Sequence, residues 1–329
     1  MKNLIDHSDR IFVAGHNGMV GSAIVRHLKR CGYGVKGKGS ILTADRSELD
    51  LEDSSKVQEW ISFNKPHIVI LAAAKVGGIY ANASLPTEFL LSNLKIQMNV
   101  IESSWRNNVK RFCFLGSSCI YPKFAKQPIQ EECLLNGQLE STNEAYAIAK
   151  ISGIKLLEAL NKQYGFDSFS LMPTNLYGPG DNYHLEHSHV MAAFIRRFCN
   201  AADDSLPSVT CWGSGSPFRE FLHVDDLASA VLFCLESWKP DIYNPSFLNV
   251  GTGSDLSILD LAHKVAFAAG FKGKVLWDNS KPDGTPRKLL DISKLAALGW
   301  QAQVSLDKGI QSAIDDWRTI SDKVHESCI

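Results

Sequence analysis

The sequence predicts an α/β fold, and three observations carry that expectation. A short β-rich run, Arg10-Ile11-Phe12-Val13-Ala14, passes at once into a glycine turn and then into helical apolar spacing at Ala23, Ile24 and Leu28. The run His67-Ile68-Val69-Ile70-Leu71-Ala72-Ala73-Ala74 is continuously apolar, as a parallel strand buried on both faces requires. Strand and helix signals then alternate along the chain, which predicts a Rossmann-type doubly wound parallel sheet followed by a smaller C-terminal substrate domain.

Composition narrows the classes of partner. The chain has 329 residues, 45% hydrophobic and 21% charged, enough for one large domain or a large and a small one. A formal net charge of -1 argues against nucleic acid or an anionic membrane as the main partner, while leaving room for a local basic pocket around a phosphorylated ligand. The N-terminus lacks a signal peptide's apolar core and no apolar run approaches ~20 residues, so the expected location is cytoplasmic. Eight cysteines without CxxC spacing read as reduced thiols, most of them small buried hydrophobes. His184, His187 and His189 invite a metal, but their spacing fits no common zinc helix and no cysteine or carboxylate cluster accompanies them, so no metal is expected.

The glycine turn runs Gly15-His16-Asn17-Gly18-Met19-Val20-Gly21, a G-x-x-G-x-x-G pattern between strand and helix. Such a turn brings bare backbone N–H groups and a helix N-terminus up to a pyrophosphate; glycine needed only for steric room is the bland alternative. A second strand is expected over Ser40 to Ala44, ending at Asp45-Arg46. An acid there suits a free ribose 2'-hydroxyl and an arginine a 2'-phosphate; Arg46 is taken to meet the phosphate of NADP. Gly37-Lys38-Gly39 just before it reads as a loose loop. The small-residue end of the His67 strand, including Ala73, lets a flat cofactor approach closely.

Helical spacing between Glu88 and Trp105 carries Asn93 and Asn99 as polar exceptions, either surface residues or backbone ties. Arg111 to Leu115 is the next strand, and it delivers Ser117 to the carboxyl edge where open α/β sheets keep their chemistry. Asn143 to Lys150 starts a helix on which Tyr146 and Lys150, at i and i+4, share a face. An ammonium about 4 Å from a phenol at effective dielectric ~20 favours phenolate by roughly 4 kcal/mol, or about 3 pH units. That would let the phenol trade protons near neutrality, with Ser117 sharing the same substrate oxygen. By itself Tyr-x-x-x-Lys is common on solvated helical faces. Phe169 to Met172 is another parallel strand, ending in Pro173-Thr174-Asn175-Leu176 beside the nicotinamide. A boundary near Pro179 divides a dinucleotide-binding domain, 8–178, from a mainly substrate-binding domain, 179–320, with later segments returning to the large sheet.

Five separated motifs add a resemblance covering about Arg10 to Trp317: Ala73 to Ile79, Gly116 to Lys123, Pro173 to Pro179, Arg219 to Asp226 and Lys281 to Lys288. With them the chain resembles the extended short-chain dehydrogenase/reductase superfamily of nucleotide-sugar enzymes, and within it the GDP-4-keto-6-deoxy-D-mannose 3,5-epimerase/4-reductase family. The resemblance implies inversion at C3 and C5 of that sugar and reduction of its C4 ketone with NADPH, giving GDP-L-fucose. It puts the Ser-Tyr-Lys set on Ser117, Tyr146 and Lys150 and the epimerising pair on Cys119 and His189, with His189 also near the cofactor. It puts a diphosphate contact on Arg197 and suggests a homodimer through helices around Glu88 to Trp105 and Ile148 to Tyr164. Many bacterial relatives carry arginine where Asn17 stands, which removes one expected phosphate contact.

The residues have their own logic beside the resemblance. A carbon flanking a ketone loses a proton when the charge moves onto the carbonyl oxygen, where Tyr146 and Ser117 would bear it. Inversion needs one group to take the proton and another to return it on the opposite face; a thiol near pKa ~8.5 and an imidazole near ~6.5 suit that work. Taken alone, Cys119 suits core packing and His189 a solvated or structural role. Trp212 and Arg219 flank Gly213-Ser214-Gly215 and could hold guanine and diphosphate, or else pack and pair structurally. Asp283 could accept from guanine or a sugar hydroxyl, or simply form the turn before Gly284. Rival functions are a 4-epimerase or dehydratase that recycles bound NAD, and a non-catalytic dinucleotide sensor with no need for Tyr146 and Lys150 together.

Overall fold

The computed structural model describes residues 3–35, 37, 39–184, 188–240, 246–281 and 283–326, so Lys38, His187 and Pro282 lie outside the described residues. In chain order the first part holds β1 (Arg10–Ala14), α1 (Met19–Arg30), β2 (Ser40–Leu42), α2 (Ser54–Asn64), β3 (Ile68–Leu71), α3 (Ile79–Ser84), α4 (Pro86–Arg106), β4 (Arg111–Leu115), α5 (Glu144–Tyr164) and β5 (Ser168–Pro173). The second part holds β6 (Asn175–Tyr177), α6 (Val190–Asp203), β7 (Ser208–Trp212), β8 (Phe218–His223), α7 (Val224–Ser237) and β9 (Phe247–Val250). It continues with β10 (Asp255–Ser257), α8 (Ile258–Ala269), β11 (Lys274–Asp278), β12 (Arg287–Lys288), α9 (Ser293–Ala297) and α10 (Leu306–Glu326).

The large sheet is parallel in the order β2-β1-β3-β4-β5-β9. Alternate residues of each strand point to opposite faces, and both faces are apolar. Ile11, Val13, Ile70, Cys113 and Phe169 pack under α1 and α7 through Ile24, Leu28, Leu227 and Val231. Phe12, Val69, Phe112 and Phe114 pack under α2, α4 and α5 through Val57, Ile61, Val100, Ile101, Ile154 and Leu157. This is the doubly wound α/β architecture the alternation predicts. β2 stops two residues earlier than expected, at Leu42, because it is an edge strand that pairs only with β1 and is half-buried along its length.

Beyond β5 the chain builds a second layer, then returns. β8 is its spine: it pairs with β10 and β12 through its first half and with β6 through its second. β7 pairs with β11, and α6, α8 and α10 close over them around Phe194, Phe198, Leu261, Val265, Ile310 and Ile314. Glu220 in β8 is fully buried and accepts from the backbone N–H groups of Thr252, Gly253 and Leu290 at 2.6, 2.7 and 3.1 Å. One carboxylate thereby joins the second layer to the loop that leaves β9 of the large sheet. No helix among the described residues is long and apolar enough to cross a membrane.

Candidate active site

All six strands of the large sheet run the same way, so their carboxyl ends form one edge. The glycine turn follows β1, Ala73 follows β3, Ser117 follows β4, and Asn175 and Leu176 follow Pro173 at the end of β5. β1 lies between β2 and β3, so the chain leaves β1 in one direction and resumes from β3 in the other; ligands bind at such a switch point. Gly15 and Ala73 flank it, and a Cβ on Gly15, whose φ is +89, would lie 2.7 Å from the Ala73 backbone.

The glycine turn fits a dinucleotide. Gly21 is where α1 crosses the turn, since a Cβ there would sit 2.1 Å from the Gly15 carbonyl oxygen. Gly18 caps α1 without any side-chain hydrogen bond, and the first turn of the helix carries no acid. The first N–H groups of α1 are thus left for an anion arriving from outside, and the helix dipole favours it. At the far end of the turn, Asn17 Nδ2 donates to Asp45 Oδ1 at 2.6 Å and His16 Nε2 lies 3.4 Å from the same oxygen. Arg46, 81% exposed at its side chain, faces Glu52 at 3.5 Å. The expected phosphate ligand is therefore drawn to an acid of its own, while Asp45 stands at the turn.

α5 is held low over β4. A Cβ at Gly153 would lie 2.8 Å from the Phe114 ring, so only glycine allows this approach. The approach places Lys150 at the carboxyl end of the strand, where its Nζ donates to the Leu115 carbonyl at 2.8 Å and lies 4.8 Å from the Phe114 ring centroid. One turn earlier, Tyr146 is hydrogen-bonded to Ser117 and stands edge-on to Phe89. The electrostatics differ from those the i, i+4 spacing suggests. Burial pushes the Tyr146 phenol well above its usual value, with the nearby Cys119 adding to the rise and the Ser117 bond opposing it. Burial also holds Lys150 down to about 7, so its ammonium is only partly charged at neutrality, and the hydrogen bond it donates goes to a backbone carbonyl. The expected large depression of the phenol is absent because desolvation is the leading influence on both groups, and Lys150 Nζ lies 5.8 Å from the Tyr146 ring centroid.

Cys119 sits two residues after Ser117 in a short 3-10 turn, with its N–H directed to Ser117 Oγ at 3.3 Å. The residue is half-buried, and its sulfur accepts from Asn143 Nδ2 at 3.4 Å. Arg219 also feels Cys119: burial lowers the guanidinium pKa, and Cys119, Asp283 and Glu140 act to raise it. Ser117, Cys119, Tyr146, Lys150 and Arg219 are thus brought together. His189 is the N-cap residue of α6, with extended backbone (φ -74, ψ 162). The residue keeps solvent access, yet enough atoms surround its ring that desolvation lowers its pKa. The described contacts join Cys119 to Asn143, Tyr146 and Arg219 and do not extend to His189.

On the outer side, Arg197 donates to the Thr210 carbonyl at 2.8 Å, which ties α6 to β7, and Trp212 at the end of β7 is 55% exposed. Lys281 stands over the Trp212 ring at 5.7 Å. Asp283 accepts from Ser214 N at 3.0 Å and Ser214 Oγ at 2.7 Å, so both carboxylate oxygens hold its loop onto the turn between Trp212 and Arg219. In this structure it acts as a turn clamp. Asn93 and Asn99 are backbone ties: Asn93 bonds Lys75 N, Lys75 O and Phe89 O, and Asn99 bonds the Leu51 carbonyl. The seven described cysteines are free thiols, four of them buried, and the described residues hold no cluster of three or more metal-ligating side chains.

Two contributors escaped the sequence reading. Asn143, just before α5, carried the signal of an N-cap residue, but the structure turns its amide to Cys119 instead. Glu220 beside Arg219 carried no local signal, because its partners come from 32 and 70 residues away.

The chain is similar to known proteins along most of its length. The model of the NAD dependent epimerase/dehydratase family matches residues 11–245. Among curated proteins, the probable GDP-L-fucose synthase 1 of Oryza sativa subsp. japonica is 51% identical over 308 residues, covering 93% of this chain and 91% of the relative. The GDP-L-fucose synthase of Escherichia coli is 50% identical over 311 residues, covering 92% and 94%. Among solved structures, a GDP-mannoheptose C4 reductase from Campylobacter jejuni with NADP bound superposes with a TM-score of 0.87 at 33% identity, covering 95% of this chain and 99% of that one.

Proposed function

Because the chain belongs to the NAD dependent epimerase/dehydratase family, we propose that it converts GDP-4-keto-6-deoxy-D-mannose to GDP-L-fucose, by 3,5-epimerisation and then reduction of the C4 ketone. The observation that carries this reading is Cys119. Reduction alone asks for a hydroxyl, a phenol and a lysine at the sheet edge; a thiol beside them, held by Asn143 and near Arg219, adds a proton carrier.

Ser117 and Tyr146 hold the sugar's O4 and bear the negative charge that forms there as C3 or C5 loses its proton. Cys119 takes or returns a proton on one face of the ring, and His189, neutral near pH 7 because desolvation lowers its pKa, serves the other. NADPH, when bound, supplies the hydride for C4. Tyr146 then protonates O4, a role suited to a phenol that burial keeps protonated. Lys150 orients the cofactor's ribose and answers the charge on Tyr146. The glycine turn with Ala73, Pro173, Asn175 and Leu176 receives the dinucleotide, and Arg197, Trp212 and Arg219 receive the GDP moiety, most of it within 179–320. The enzyme is cytoplasmic and works as a homodimer whose contact uses α4 and α5, where Leu91, Met98, Ile148 and Tyr164 are exposed.

The test is to incubate the purified chain with GDP-4-keto-6-deoxy-D-mannose and NADPH in deuterated water and identify the sugar by NMR. The expected product is GDP-L-fucose carrying deuterium at C3 and C5, with one NADPH consumed per sugar. A product formed without net NADPH consumption would transfer the chain to the cofactor-recycling epimerases.

A further inference from the structure

We propose that Asp45 adapts the adenosine end of the dinucleotide site to a free ribose 2'-hydroxyl, so that this chain uses NADH as well as NADPH. The proposal rests on the dinucleotide-dependent function above and defines its cofactor range. Asp45 lies 24 residues after Gly21, about the separation at which an acid after the second strand meets the ribose. Its position is fixed from two sides. Its carbonyl accepts from Glu48 N at 3.0 Å and Leu49 N at 2.8 Å, and its Oδ1 is held by Asn17 at 2.6 Å, with His16 Nε2 at 3.4 Å.

Those ties use Oδ1. Among the described residues Oδ2 has no hydrogen-bond partner, and the side chain is 62% exposed, so one carboxylate oxygen is open beside the turn that would hold the diphosphate. An ionised carboxylate only accepts hydrogen bonds, which a 2'-hydroxyl satisfies and an ionised 2'-phosphate does not. The neighbouring cation keeps the phosphate form usable. Arg46 is 81% exposed and 3.5 Å from Glu52, a surface pair of small worth, so turning it toward a 2'-phosphate costs little. An acid already placed and a cation that must move bracket the 2'-position, and the two coenzymes come out close in affinity.

The test measures binding without sugar, from the fluorescence change of reduced nicotinamide on titration with NADH and with NADPH, for the wild type, Asp45→Asn and Arg46→Ala. Asp45→Asn keeps the side chain's shape and its acceptor for Asn17; Asp45→Ser replaces it if that variant does not fold. The proposal stands if wild-type NADH binds within about thirtyfold of NADPH and loss of the carboxylate moves the ratio toward NADPH by about tenfold or more. Any smaller movement, or a wider wild-type gap, overturns it. Arg46→Ala is expected to weaken NADPH and leave NADH unchanged; equal weakening of both also overturns it. Failure of this inference is separable from failure of the proposed function. An enzyme that reduces the GDP-sugar with NADPH and ignores NADH keeps the function and loses the inference; a chain that binds both coenzymes and reduces nothing does the reverse.

Discussion

Asn143 Nδ2 donates to Cys119 Sγ across 3.4 Å, so the residue that precedes α5 holds the thiol delivered by the end of β4. Its other amide atom, Oδ1, is buried without a partner among the described residues, which leaves the amide committed to the sulfur side. A hydrogen bond to a charged group contributes about 1.5–3 kcal/mol, or roughly ten- to a hundredfold in rate when the charge forms during reaction. Asn143→Ala is therefore expected to slow deuterium entry at C3 and C5 by about tenfold or more, with NADPH affinity unchanged. Unaltered exchange would show that the bond plays no part in proton transfer.

Lys150 gives the folded chain a pH dependence of known sign. It is 3% exposed, and burial lowers it from 10.5 to about 7. Below pH 7 the folded state bears the full cost of a buried ammonium. Between pH 7 and 10.5 the unfolded chain holds a proton the folded chain has released, so this group makes stability rise with pH. Relative to a Lys150→Met variant, the wild type should gain stability from pH 7 to 9 with a slope of up to about 1.4 kcal/mol per unit in urea unfolding. A difference that stays flat across that window would mean that the lysine keeps its proton in the fold.

Two glycines of the same turn should respond in opposite ways. A Cβ at Gly21 would press to 2.1 Å from the Gly15 carbonyl oxygen, whereas one at Gly18 would meet the same atom at an ordinary 3.5 Å, with φ at -75. Gly21→Ala should lower the Tm, by about 1–3 kcal/mol of stability, as overpacking does. Gly18→Ala should melt like the wild type yet bind NADPH more weakly, since its methyl enters the space the diphosphate needs. Calorimetry with and without NADPH distinguishes the two.

Trp212 leaves more than half its surface open at the end of β7, beside the loop clamped by Asp283. Trp212→Ala should raise the KM for the GDP-sugar by about tenfold, a stacking contribution of roughly 1–3 kcal/mol, with KM for NADPH unchanged. Asp283→Ala releases Ser214 and should raise the same KM through disorder of the turn. In that variant the loop's protease sensitivity should increase; a KM effect with no such change would mean that Asp283 meets the ligand directly.

The strands that positioned the chemistry were legible because a strand buried on both faces reads as an unbroken apolar run after its first residue. Arg10–Ala14 and Arg111–Leu115 fall where the apolar runs put them, and the helix of Tyr146 and Lys150 starts at Glu144, beside Asn143. The edge strand β2 was read too long, since half-burial leaves a weaker pattern. Local spacing likewise told that phenol and lysine share a face. It could not tell their charge, because desolvation depends on how closely Gly153 lets α5 approach Phe114. It favoured Arg46 for the ribose phosphate without showing Asn17 on Asp45 or Glu52 beside Arg46, nor could it turn Asn143 to sulfur and Asp283 to Ser214, since those partners lie 28, 6, 24 and 69 residues apart along the chain. By itself the sequence determined the elements and which faces they bury, because both follow from short-range periodicity. The tertiary structure alone decided which polar groups meet and which keep their charge, because hydrogen bonds and burial are set by atoms brought together only after the sheet and its helices have packed.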